Sequence, residues 1–347
     1  MADDVTALLS DRIGPFHPAQ APSAGGMAWR PWTPADIDGL LDFYAAVAGV
    51  DHPNWVESRD EAMETFGLPH IAPGRDTMLA VDSGGRIVAS GSAMCPPGQE
   101  TLVRSIVIGA VRPDARGRGL GQALLDWQLA RAREQLAASG KALPGWIMAF
   151  AEERAPDAAA LLERNGLALR RHFLQLERDL ERPIDVVPAP QGVRVVPWAP
   201  EWSESTRLAR NAAFVDHWGS QSTSPESWAA MTDASQFAPD LSFLAVATGG
   251  DGVDAVVGLV LSTRNEDDWA GQGFTSSYVP LVGVVREWRG RRVAGALLAR
   301  QLAASRSAGL ERSTLDVDAE NPTGALGLYT GLGFEVAHTH TSHVLEY

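Results

Sequence analysis

Apolar positions along the chain fall into short blocks whose order occurs twice. In the first half, Trp29–Trp32 reads as a strand, Pro34–Val50 as helical, and Gly84-Gly85 as the turn of a hairpin. A long apolar strand over Leu102–Val111 runs through a Gly/Arg turn into an amphipathic helix over Leu120–Ser139. A buried strand over Trp146–Phe150, a short helix and a last strand follow. The second half predicts the same series: strand Val193–Val196, helix Glu201–Phe214, a hairpin at Gly249-Gly250, strand Tyr278–Val285, helix Ala294–Ala308 and strand Ser313–Val317, then a short helix and a closing strand. Hairpins followed by strand–helix–strand imply an α/β fold, a mixed twisted sheet in each half with helices on both faces.

The residues themselves repeat. Pro31-Trp32-Thr33-Pro34 recurs as Pro197-Trp198-Ala199-Pro200, and Leu79-Ala80-Val81 before Gly84-Gly85 as Leu244-Ala245-Val246 before Gly249-Gly250. Arg116-Gly117-Arg118 before Leu124-Leu125 recurs as Arg289-Gly290-Arg291 before Leu297-Leu298, and Asn165-Gly166-Leu167 as Leu332-Gly333-Phe334. Matches in one order at nearly constant spacing mark a duplication. Residues 14–26, rich in Pro, Ala and Gly, read as a mobile arm, and three prolines within 182–192 as a linker. The expected layout is an arm over 1–26, a first domain over 27–181, the linker 182–192, and a second domain over 193–347.

A length of 347 residues with 45% hydrophobic content suits two cores. A net charge of −14 argues against a nucleic-acid partner and favours a cationic small molecule, while a polyanion needs local basic clusters. No apolar run approaches the roughly 20 residues that span a bilayer, so no membrane partner is expected. The acidic opening MADDVTALLSDR does not read as a secretory signal, and the lone Cys95 suits a reducing compartment, so a cytoplasmic location is expected. Beside Pro96 and Pro97, without a basic partner, Cys95 is expected to be inert.

The basic clusters sit in the Gly/Arg turns. Val111-Arg112-Pro113-Asp114-Ala115-Arg116-Gly117-Arg118-Gly119-Leu120-Gly121 carries a buried strand into a helix start, whose first N–H groups lack intrahelical acceptors. With the helix dipole, glycines that permit close approach, and Arg116 and Arg118, this is a phosphate cradle; an ordinary turn with an exposed arginine pair fits the same residues. The third glycine of a dinucleotide fingerprint and the Gly-Lys-Ser/Thr of a P-loop are both missing.

Arg116-Gly117-Arg118-Gly119-Leu120-Gly121 resembles the Gln/Arg-x-x-Gly-x-Gly/Ala pyrophosphate loop of the GNAT acyltransferases, which follows a central strand in that superfamily. The second copy, Arg289-Gly290-Arg291-Arg292-Val293-Ala294, places Arg292 where the family has glycine. That exchange crowds the phosphate, keeps the N–H and adds a cation. The resemblance implies acetyl-CoA as cosubstrate, held by Val111, Arg116, Gly117, Arg118, Gly119, Leu120 and Gly121 in the first copy. In the second it implies Val284, Arg289, Gly290, Arg291, Arg292, Val293, Ala294 and Asn321, with a strand bulge near Leu281–Val284 presenting N–H groups to the thioester arm. It also implies a catalytic acid at Tyr329, within Asn321-Pro322-Thr323-Gly324-Ala325-Leu326-Gly327-Leu328-Tyr329, that protonates the departing thiolate. A packing aromatic is the other reading of Tyr329. Leu162 occupies that position in the first copy and can donate no proton, which directs the chemistry to the second domain. The tandem layout, with Asn211-Ala212-Ala213-Phe214, then His217-Trp218 and Pro239-Asp240-Leu241-Ser242-Phe243-Leu244-Ala245, also resembles the tandem mycothiol synthase-like acetyltransferases of actinobacteria.

The implied reaction is transfer of an acetyl group to a small-molecule primary amine, by a monomer whose two domains form a pseudo-dimer. The alternative is a non-catalytic acyl-CoA-binding or regulatory tandem protein. Asp216, His217 and Glu287 are candidates for the base. His338, His340 and His343 lack a carboxylate or thiolate partner at ligand spacing, so no metal is expected.

Overall fold

The computed structural model describes residues 6–52, 57–68, 70–250, 252–321 and 324–347. Pro322 and Thr323, within the segment that carries Tyr329, and the first five residues of the opening stretch lie outside these. Two compact units are present: unit 1, Met1–Arg171 with His340–Tyr347, and unit 2, His172–Thr339.

Unit 1 begins with helix α1 (Leu9–Ile13), strand β1 (Ala28–Arg30) and helices α2 (Ile37–Asp51), α3 (Arg59–Gly67) and α4 (Pro73–Asp76). Strands β2 (Thr77–Val81), β3 (Ile87–Met94) and β4 (Val103–Val111) lead to helix α5 (Leu120–Ala138), strand β5 (Gly145–Glu152) and helix α6 (Pro156–Arg164). Strand β6 (Ala168–Asp179) then carries the chain into unit 2, where strand β7 (Val193–Pro197) precedes helices α7 (Ser203–Ala213) and α8 (Pro225–Asp233). Strands β8 (Phe243–Thr248) and β9 (Asp254–Thr263), helix α9 (Glu266–Gln272) and strand β10 (Ser276–Val284) come next. Helix α10 (Val293–Ser307), strand β11 (Arg312–Asp318), helix α11 (Ala325–Gly331) and strand β12 (Glu335–Glu346) finish the chain.

In unit 1 the sheet runs β1-β2-β3-β4-β5, and His340–Glu346 of β12 closes it against β5. Unit 2 repeats this as β7-β8-β9-β10-β11, closed by Phe173–Asp179 of β6 against β11. Within each unit these neighbours are antiparallel except β4/β5 and β10/β11. The strand that closes each sheet therefore comes from the other half of the sequence, and residues 182–192 lie within unit 2.

Both parallel ladders are short. β4 pairs with β5 only from Val103 to Ile106, and β10 with β11 only from Ser276 to Tyr278, although all four strands run on. In an open α/β sheet, ligands settle beyond the carboxyl ends of such strands. The bulge expected near Leu281–Val284 lies one step earlier, between Tyr278 and Leu281. Pro280 falls inside it and, lacking an N–H, could not serve a regular ladder there.

Glycines set how closely each helix meets its sheet. Gly91 and Gly109 face each other across β3 and β4, and a Cβ on either would stand 2.8–2.9 Å from the Gln128 side chain of α5. That Gln128 amide donates to Ser92 O and Ile108 O at 3.0 and 2.7 Å. Gly258 plays the same part under α10, where a Cβ would meet Val293 and Leu297 at 3.0 and 3.2 Å. Leu297, Leu298 and Leu302 are buried completely beneath it. Close docking fixes the amino ends of α5 and α10 over the carboxyl ends of the central strands.

Residues 14–26, expected as a mobile arm, are tied to unit 1. Leu9 is fully buried ahead of them, the Ala19 N–H donates to Glu134 at 2.8 Å, and the Trp29 indole donates to Ala24 O at 3.0 Å. Apolar burial of Leu9, Ala19 and Met27 along α5 holds the segment despite its Pro/Gly content.

Candidate active site

The Gly/Arg turns adopt one backbone in both copies. Gly117 and Gly119 have φ of 73° and 79°, and Gly290 and Arg292 have 73° and 64°. Arg292 is the non-glycine residue with positive φ among the described residues. It caps α10 as Gly119 caps α5, both left-handed. An L-residue there costs roughly 1–2 kcal/mol, so the loop keeps its shape against its own side chain. Alternating left-handed residues ahead of a helix turn successive N–H groups toward one point, an anion-binding concavity.

The first arginine of each turn is already engaged. Arg116 donates to Val111 O at 3.1 Å and forks onto Asp51 at 3.0 and 2.6 Å. Arg289 donates to Val284 O at 3.2 Å, to Ala213 O at 2.8 Å and to Asp216 at 3.0 Å. Each arginine therefore laces the strand end to the helix in front of it, and a phosphate would have to share it. Sequence reading missed Asp51, the last residue of α2, and named Asp216, just after α7, only as a candidate base; both lie far from their arginines in the chain, so spacing gave no signal for either ion pair.

In unit 2 a cleft of about 300 Å³ opens between α7, β10, α10 and α11. Val284, Arg289, Gly290, Arg292, Val293, Ala294 and Tyr329 line it together with His217 and Gly283. Arg291 instead lies over the Trp288 ring at 4.8 Å, and Asn321 sits in the loop before α11, its N–H bonded to Asp318 O at 3.0 Å. In unit 1, Leu120 is 1% exposed within the core, which leaves its backbone to meet a ligand. A Cβ on Gly121 would touch Leu161 and Val111 at 3.4 and 3.7 Å. Arg118 is exposed beside them.

Tyr329 is 7% exposed, its ring edge-on to Phe334 at 5.9 Å. Burial pushes its phenol up to about 12, so the hydroxyl stays protonated at neutral pH. Leu162, equally covered, packs into the unit 1 core.

The three candidate bases separate. Asp216 is ion-paired to Arg286 and Arg289, and these hold its carboxyl below the usual range. Glu287 is exposed on the turn, outside the cleft lining. His217 lines the cleft against Phe214, ring centroids 4.5 Å apart, and burial, then Arg289 and Arg210, push its pKa down. Its depressed pKa favours the neutral imidazole, which can accept a proton. Among the described residues no group of three or more His, Cys, Asp or Glu could hold a metal, and no helix is long and apolar enough to cross a membrane.

A diphosphate with a thioester arm fits what the cleft presents: free N–H groups at its rim, apolar walls, and a protonated phenol inside. Comparison with known proteins agrees. Residues 208–334 match the acetyltransferase (GNAT) family. The chain is similar to a mycothiol acetyltransferase of Acidothermus cellulolyticus, 34% identical over 234 residues, 65% of this chain and 66% of that one. It is also 34% identical over 225 residues to the mycothiol acetyltransferase of Thermobispora bispora, 65% of this chain and 70% of that one. Among solved structures, a GCN5-related N-acetyltransferase from Sphaerobacter thermophilus overlays with a TM-score of 0.71 at 26% identity, covering 92% of this chain and 95% of that one. A tandem GNAT protein from the clavulanic acid biosynthesis pathway shares the fold, with a TM-score of 0.64 at 18% identity over 92% and 98% of the two chains. Repeated loop, repeated sheet and these likenesses converge: the chain belongs to the GNAT acetyltransferases, as a tandem-domain N-acetyltransferase related to the mycothiol acetyltransferases.

Proposed function

We propose that this chain moves an acetyl group from acetyl-CoA to the primary amine of a small molecule, with the chemistry in the second copy of the duplication, residues 193–347. The observation that carries the assignment is Tyr329, a proton donor inside the cleft whose counterpart Leu162 is apolar. Loop N–H groups of Gly290 through Ala294 would hold the diphosphate, and Arg292 would add a charge at the rim. The thioester supplies the acyl group and a thiol leaving group. Tyr329 Oη would give its proton to the sulfur, and His217 would take one from the acceptor nitrogen.

In the first copy, residues 27–181, the loop over Arg116–Gly121 would bind acyl-CoA without turning it over. A desacetyl precursor of mycothiol is the first acceptor to try, given the relatives. The test is a panel of amines incubated with acetyl-CoA and read by mass spectrometry, for the wild type and Tyr329→Phe. An acetylated amine whose formation ignores Tyr329 would move the chemistry elsewhere.

A further inference from the structure

The parallel ladder of β10 and β11 ends with Tyr278 opposite Thr314. Just beyond, the Tyr278 hydroxyl donates to Asp316 Oδ2 at 2.8 Å, bridging the two strands where their pairing stops. Asp316 Oδ1 is buried and has no hydrogen-bond partner. A carboxylate can fill about four lone-pair sites, and a shielded oxygen left unmet is unfavourable. Neither residue is sealed off, since each is only partly covered. Burial first, then the neighbouring Asp316, raises the Tyr278 phenol well above its ordinary pKa, which keeps it a donor toward the carboxylate.

Their orientation follows from strand alternation. Ser277 and Ser313 turn toward α10, where their hydroxyls meet Ser305 Oγ at 3.0 Å and Gln301 Oε1 at 3.3 Å. Tyr278 and Asp316 therefore stand on the opposite sheet face, the one toward α7. The first copy lacks the pair. There the last parallel position is Ile106 opposite Met148, and Phe150, 43% exposed, lies two residues on. A polar bridge at the strand divergence occurs in the same copy that carries Tyr329.

We propose that Asp316, steadied by Tyr278, receives the ammonium group of the acetyl acceptor. The assignment rests on unit 2 being the transferase site. An ammonium offers several donors, one for Asp316 Oδ1 and one for the free lone pair of the Tyr278 oxygen, together with the opposite charge. A hydroxyl of similar size offers a single donor and no charge, so the pair selects amines over alcohols. The overall negative charge of −14 further favours a cation's approach.

Two measurements test this on the full chain. Acetylation of desacetylmycothiol, glucosamine and tyramine is followed by mass spectrometry for wild type, Asp316→Asn and Tyr278→Phe. Saturation-transfer NMR follows n-butylammonium chloride on the CoA-loaded protein. The expected result is a KM for the amine raised tenfold or more by Asp316→Asn and several-fold by Tyr278→Phe. The KM for acetyl-CoA and the melting temperature stay unchanged, and the butylammonium signal is lost in Asp316→Asn. Amine KM and butylammonium signal like wild type in Asp316→Asn would overturn the assignment and leave the transferase reading intact. So would losses in amine use matched by equal losses in acetyl-CoA affinity or melting temperature, because a purely structural bridge would move all three together. No acetylation by the wild type, with a butylammonium signal that Asp316→Asn abolishes, would remove the transferase reading and keep the ammonium site. Neither acetylation nor a signal in the wild type would overturn both.

Discussion

Replacing Tyr329 with phenylalanine isolates the proposed acid. The ring stays, and with it the contact to Phe334 and the burial of a side chain only 7% exposed. The hydroxyl has no hydrogen-bond partner among the described residues, so its loss should change stability by less than about 0.5 kcal/mol. Turnover should behave differently. A general acid contributes roughly 10²–10⁴ in rate, about 3–5 kcal/mol of barrier, and kcat should fall by that factor while the KM for acetyl-CoA barely moves. With the phenol held at about 12, ionisation of Tyr329 should cause no alkaline downturn in wild-type kcat below about pH 11. Linkage gives an independent check. A group whose folded pKa is raised stabilises the fold fully below its unfolded value of 10, and that contribution fades as pH climbs toward 12. The variant should therefore lose less stability than the wild type across that window. The assay is initial-rate acetylation of the best amine, with thermal unfolding alongside. A kcat within twofold of wild type would refute the acid assignment.

Arg292→Gly should relieve left-handed strain of roughly 1–2 kcal/mol against about 0.5–1 kcal/mol of added chain entropy, a net gain near 1 kcal/mol. A melting temperature that stays flat or drops would count against the strain. Gly119→Glu places a carboxylate at a residue with φ of 79°, and calorimetry should show weaker acetyl-CoA binding or one site fewer; unchanged stoichiometry and affinity would exclude the first-copy loop. Asp76→Ala removes the 2.8 Å partner of Arg131, with both side chains largely buried, and should cost about 3–5 kcal/mol in chemical denaturation. Asp36, lowered to about 2 chiefly by its hydrogen bond with Arg30, stabilises the fold above pH 3.8, and that contribution vanishes as pH falls through 2. Asp36→Asn should therefore flatten the acid limb of the stability curve, and an unaltered limb would contradict the assignment.

Much of the candidate site was legible in the chain because its parts are local. A strand, a Gly/Arg turn and a helix start are contiguous, and the backbone N–H groups that make the cradle follow from that order alone. Arg292 shows the limit of reading residue types: the exchange implies crowding of the phosphate with the N–H kept, but residue type alone does not show that the backbone matches Gly119, with α10 docked closely through Gly258. The engaged arginines show another. Arg116 and Arg289 read as free phosphate ligands, and only the fold brings Asp51 and Asp216 to them from 65 and 73 residues away.

The sequence by itself determined the duplication, the order of strands and helices, the Gly/Arg turns and the contrast between Tyr329 and Leu162. All of these are properties of short segments or of their repetition. Tertiary structure alone decided which strand closes each sheet, because β6 and β12 offer similar edges and alternation cannot name a partner. It also decided that Leu9 anchors the amino-terminal segment, and that Tyr278 meets Asp316 across two strands 38 residues apart. Side chains far apart in sequence meet only once packing has chosen one register among several that the pattern allows.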